Sequence, residues 1–189
     1  MVEIEKLLKD SWEIFQKNIV AFIVGTLIAG IGSILIVTIA PLFYGVVYMA
    51  VKGIKGEKVE IADVFAGFKV SGAFVQSWIV VIVYLVLMIA GSMLLGRIGG
   101  IIGILLIYAL PLLVMREYKG ADALKENFEL IQKYPADTAI VFLIFFALNY
   151  IGSLIIIGAL ITFPLSMIGY TLTAKHLAGN SQPAAYIEG

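Results

Sequence analysis

Three long runs without charge, residues 19–51, 70–115 and 138–174, decide what this chain can fold into, and Arg97 is the one charged residue inside them. The first run alone is 33 residues long. At ~1.5 Å of rise per residue it would make a straight helix of roughly 50 Å, against a hydrocarbon core of ~30 Å. Each run is therefore too long for one crossing and about right for two short ones. The expected fold is an all-α integral membrane protein of six transmembrane helices, paired as three helical hairpins.

Composition points the same way. The chain is 61% hydrophobic and 14% charged, against roughly 45–50% and ~25% in soluble domains. Net charge is zero, so no nucleic-acid partner is implied. Cysteine is absent, which removes disulfides, thiolate metal sites and cysteine nucleophiles together. The first apolar run is too long for a signal-peptide core and lacks a small-residue cleavage site, so it reads as a retained segment.

Orientation follows from Lys and Arg. Lys6, Lys9 and Lys17 precede the first run; Lys52, Lys55, Lys58 and Lys69 follow it. Arg116, Lys119, Lys125 and Lys133 lie between the second and third, and Lys175 comes after the last. If every run is a hairpin, all of these fall on one side and Arg97 alone on the other. The positive-inside rule then puts both termini in the cytoplasm of a prokaryotic cell, with the chain multi-pass in its cytoplasmic membrane. The expected outer turns are Gly30, Gly32 and Ser33, then the stretch around Arg97 between Leu95 and Gly100, then Gly152 to Gly158, since glycine takes turn conformations without steric cost.

The chain repeats itself. Residues 7–18 read LLKDSWEIFQKN and residues 123–134 read ALKENFELIQKY. A weaker third copy aligns Asp63 with Asp10 and Glu126, Phe65 with Trp12 and Phe128, and Phe68 with Phe15 and Ile131. Each run also carries a Pro-Leu pair, at Pro41, Pro111 and Pro164. The unit is an amphipathic helix, an outward span and a proline-bearing inward span. Three such units, about 1–56, 57–119 and 120–179, make one membrane domain of residues 1–179. Residues 180–189 form a polar tail, expected to be disordered and ending in residues that could be an artificial addition. Parallel repeats imply pseudo-threefold symmetry about the membrane normal. Ile4, Leu8, Trp12 and Phe15 form the expected apolar stripe of the first amphipathic helix, repeated by Leu124, Phe128 and Ile131. Glu5–Lys9, Glu13–Lys17 and Glu129–Lys133 are spaced as i,i+4 pairs.

Chemistry is sparse. None of the 13 acidic residues lies inside a run; Asp137, the nearest, is placed like a helix N-cap. His176 has no triad or metal partner in the pattern. The expectation is a protein that is not an enzyme and uses no cofactor or metal. Proton-coupled transport normally keeps a carboxylate or histidine in the bilayer, and no run contains one. The neutral groups Gln76, Ser77, Tyr84, Tyr108, Asn149, Tyr150, Ser153 and Thr162 remain. Asn149 and Tyr150 are the candidates for an internal lipid or substrate contact, with interhelical hydrogen bonding as the alternative. Lys52, Arg116 and Lys175 are the candidates for headgroup contact. Pro41, Pro111 and Pro164 each remove a backbone donor and are candidate helix breaks. Glycines at 96 and 100, and at 99 and 103, have the spacing of close helix packing.

The opening helix with Trp12 and Phe15, the Pro41…Gly45 pair and the loop Lys55-Gly56-Glu57-Lys58-Val59…Asp63-Val64-Phe65…Phe68 resemble one known group. The helix ending at Lys133 and Pro164…Gly169 complete the likeness. The chain resembles the YciC-like proteins and the membrane domain fused to some glycerophosphoryl diester phosphodiesterases. That resemblance implies six membrane helices in a prokaryotic membrane and an association with lipids; the catalytic domain of the fused members is absent. The functional expectation is binding or translocation of a lipid or other amphiphile, with membrane lipids as partners. The alternatives are a structural or interaction protein serving a partner membrane protein, or a homo-oligomeric channel.

Overall fold

The computed structural model describes residues 2–95, 102–117 and 119–179. Among them every regular element is helical. An amphipathic helix α1 (Ile4–Lys17) leads into α2 (Ile19–Gly32), and a 3-10 turn (Ile36–Thr38) leads into α3 (Ile39–Ile54). A second 3-10 turn (Ile61–Phe65) runs into the short α4 (Ala66–Lys69), followed by α5 (Ala73–Leu95). Residues 102–106 are again 3-10 and precede α6 (Ala109–Arg116). The chain closes with the amphipathic α7 (Gly120–Lys133), α8 (Pro135–Ser153) and α9 (Ile156–Gly179).

The first and third uncharged runs are each broken by a short non-helical stretch, and the second holds α5 and α6 on either side of residues outside the description. The first break falls at Ser33–Leu35, just beyond the expected glycines. Hydroxyls satisfy carbonyls there that no water would reach in an apolar setting: Ser33 Oγ donates to Ala29 O at 2.6 Å and Thr38 Oγ1 to Gly32 O at 2.5 Å. The third break falls within the expected Gly152–Gly158 stretch, where Ser153 Oγ donates to Tyr150 O at 2.7 Å. The expected turn around Arg97, the glycines at 96, 99 and 100, and the tail 180–189 lie outside the described residues.

Among the described residues four helices are long and apolar enough to cross a membrane: Ile36–Ile54, Ala73–Leu94, Pro135–Ser153 and Ile157–Gly179. A fifth candidate is the pair α1 and α2, bent by 88° at Asn18, while Ile102–Arg116 is shorter. The molecule is therefore a multi-pass, all-helical membrane protein with four to five candidate spans. At 14 residues, α2 alone rises only about 21 Å.

The helices sort into an inner and an outer group. The segments Ile36–Ile54 and Ile157–Gly179 are each 56% buried, against 22% for Ala73–Leu94 and 28% for Pro135–Ser153. α3, α6 and α9 touch one another pairwise. Outside them, α2 packs on α3 and α9, α5 on α3 and α6, and α8 on α9. The surface elements follow suit: the Ile61–Phe65 turn packs on α3, α7 on α6, and α1 on α9. Lipid tails are as apolar as leucine, so this arrangement is held by close packing and hydrogen bonds more than by exclusion of water. At Gly45 the approach is closest, because a Cβ there would collide with the backbone carbonyl of Val64. Gly67 meets the backbone of Pro41 in the same way, and Gly169 lies against the Phe145 ring.

The amphipathic helices follow part of the expected stripe: Phe15 is fully buried, and Ile4, Leu124 and Ile131 are half-buried against the core. In α1 the buried residues are Leu7, Ser11 and Phe15, whereas Leu8 and Trp12 are exposed. In α7 they are Gly120, Ala123, Asn127 and Leu130, with Phe128 exposed. The apolar arc is wider than one contact line, and Trp12 and Phe128 are left on the outside. The charge pairs differ as well. Lys17 and Glu13 meet at 2.9 Å, and the ammonium holds the Glu13 carboxyl below its ordinary range. Glu129 lies 4.0 Å from Lys125 instead of pairing with Lys133, whose ammonium sits over the Tyr134 ring.

Candidate functional site

The three cations singled out from sequence end the three inner helices, but in two different states. Lys52, in the last turn of α3, reaches Asp63 Oδ2 at 2.8 Å. Asp63 also accepts from the Glu60 N–H at 2.8 Å, so the pair closes the loop after α3 onto its own 3-10 turn. Arg116, ending α6, meets Glu126 Oε1 on α7 at 3.1 Å. Both pairs are largely shielded. Lys175, near the end of α9, is exposed and takes part in neither kind of contact.

Asn149 and Tyr150 are adjacent in sequence but not in role. Asn149 Nδ2 donates to Ser166 Oγ at 2.6 Å and to Phe145 O at 2.9 Å, and Ser166 Oγ donates in turn to Thr162 O at 2.8 Å. This ties α8 to α9 and occupies the Asn149 amide. Tyr150 is 66% exposed on the outer side of α8. The structure does not bring the two together with any of the three cations.

The prolines also differ from one another. Pro41 and Pro111 stand in the first turn of α3 and α6, each after a 3-10 stretch, where a missing N–H leaves no bond unmade. Pro164 alone lies inside a helix. All three are buried.

Several polar anchors were not evident from sequence. Asn127 accepts from the Tyr108 N–H at 3.1 Å and donates to Leu105 O at 2.7 Å, fixing the irregular start of α6. Gln76 Oε1 receives the Gly120 N–H at 2.7 Å and so holds the start of α7 against α5. Tyr108 OH reaches Thr138 Oγ1 at 3.2 Å. Asp137 sits in the first turn of α8 behind the cap residue Tyr134, and its Oδ1 accepts from the Val2 N–H at 2.8 Å. The signal for Asn127 was legible in principle. It aligns with Ser11 in the repeat, a polar residue on the inward side of an amphipathic helix, and both are fully buried.

The cavity of interest lies between α1 and the end of α9. It has a volume of about 410 Å³, and its lining includes Glu3, Lys6, Asp10, Leu172, Lys175 and His176. Apolar and charged groups thus share one concave surface beside an amphipathic helix whose outer face carries Trp12. No family model, curated protein or solved structure matches this chain.

Proposed function

We propose that this protein binds or translocates a lipid or similar amphiphile in a prokaryotic cytoplasmic membrane, without catalysing a reaction. The observation that carries the reading is the cleft between α1 and α9, where Lys6 and Lys175 share a wall with Leu172. A ligand with a charged head and an apolar body matches such a lining. The exposed apolar side chains along α5 and α8 are suited to contact with lipid tails. The resemblance to the YciC-like group supports the same class of ligand.

The architecture belongs to the same proposal. Six short spans in three hairpins, with both termini cytoplasmic, would place α1, α7 and the Ile61–Phe65 turn together at the inner face. The pairwise contact of α3, α6 and α9, each backed by one surface element, supports a pseudo-threefold arrangement.

A scaffold role for a partner membrane protein is the second reading. It draws on the ion pairs of Lys52 and Arg116, which engage two of the three candidate headgroup cations within the protein. Reconstitution in proteoliposomes separates the two. A lipid-handling protein should exchange fluorescent phospholipid between leaflets, or from donor to acceptor vesicles, above protein-free controls. Activity at the control rate for every lipid class would leave the scaffold reading.

A further inference from the structure

We propose that the α1–α9 cleft is a headgroup site for a zwitterionic phospholipid carrying a primary ammonium, an ethanolamine-type lipid; this rests on the lipid-handling reading above. The starting point is a difference among three comparable seams. At two of them the cation ending an inner helix is joined to the acid of the surface element that follows: Lys52 to Asp63 at 2.8 Å and Arg116 to Glu126 at 3.1 Å. Asp10 aligns with Asp63 and Glu126, and Lys175 follows Pro164 by the same interval, 11 residues, that separates Lys52 from Pro41 (175 − 164 and 52 − 41). Among the described residues no ion pair joins Asp10 to Lys175 at this third seam. Both instead line the cavity of about 410 Å³.

The lining then selects the ligand. Lys6 and Lys175 balance Glu3 and Asp10, with the His176 imidazole beside them. A simple anion would meet two carboxylates, and a simple cation two ammonium groups. A phosphate with an ammonium a few bonds away meets an opposite charge at both ends. No Trp, Tyr or Phe is among the described residues lining the cleft, so a quaternary ammonium finds no electron-rich ring of the kind that holds such groups. A primary ammonium can donate hydrogen bonds to Asp10 and Glu3. The apolar part of the wall, Val2, Leu7 and Leu172, is suited to the glycerol and first methylenes.

Native mass spectrometry of the full chain, offered equal amounts of ethanolamine, choline and glycerol phospholipids of matched tails, tests this directly. The ethanolamine lipid should be retained preferentially. Asp10→Asn and Lys175→Gln should each lower that preference roughly fivefold, the scale of one lost charge-assisted contact. Asp10→Glu should restore it, and Lys125→Gln on the exposed side of α7 should leave it unchanged. Equal retention of the three classes, or preference that survives both variants, would overturn the site while leaving lipid handling standing. Failure of the wild type to retain any lipid would overturn both. Free phosphoethanolamine competing as well as the lipid would reassign the cleft to a soluble ester and likewise overturn the proposal.

Discussion

Gly45 shows how much of this fold rests on single atoms. A hydrogen in place of a methyl lets α3 lie directly against the Val64 carbonyl. Gly45→Ala should lower the melting temperature in detergent, at a cost of about 1–3 kcal/mol for the forced separation. A melting curve identical to wild type would mean that the segment around Val64 moves aside freely. Asn149 makes the complementary point. Sequence singled it out as a deep polar group with two possible uses, and its bond to Ser166 on α9 is the interhelical one, beside a bond to Phe145 O within α8. Composition cannot distinguish a polar side chain that faces a neighbour from one that faces a cavity, because that depends on helix rotation.

At the scale of elements, a break in the first and third apolar runs was legible because run length and hydrocarbon thickness are both fixed quantities. The 3-10 stretches before α3 and α6 were not, and they change what Pro41 and Pro111 do. A proline read as a kink inside a span proves to open a helix, because the chain before it is already irregular. The amphipathic stripes were legible only in part, for a related reason. Periodicity finds the apolar arc of α1 but not which edge of it meets protein, and Ser11 rather than Trp12 holds that place. Topology remains the test of the six-span proposal. On this cysteine-free chain, single cysteines at positions 55 and 119 should be hidden from an impermeant reagent applied to intact cells, and one at position 97 should react. Outside labelling at 55 or 119 would dismantle the hairpin arrangement.

For the whole molecule, the ion pairs at the seams give a measurable signature. Double-mutant cycles on Lys52–Asp63 and Arg116–Glu126, read from melting in detergent, should each return a coupling of about 1 kcal/mol. The same cycle on Asp10 and Lys175 should return a value near zero in lipid-free protein. Strong coupling there would show that the third seam closes like the others and holds no ligand. The repeat proposed from residues 7–18 and 123–134 rests on spacing, which could be read in sequence because it survives when residue identities drift. The inequality of its three seams could not, since Asp10 and Lys175 look no different in sequence from the pairs that close.

That inequality has a consequence for biosynthesis. α1 makes most of its contacts with α9, the last described helix, and those contacts can form only once that helix has left the ribosome. At roughly 5–20 residues per second, α1 waits on the order of 10–30 s after its own synthesis. During that interval Leu7, buried in the finished protein, lacks the α9 wall of the cleft it lines, whereas Phe15 already has the Phe22 ring of α2 beside it. The α1–α9 packing is thus among the last of the described helix contacts to become possible.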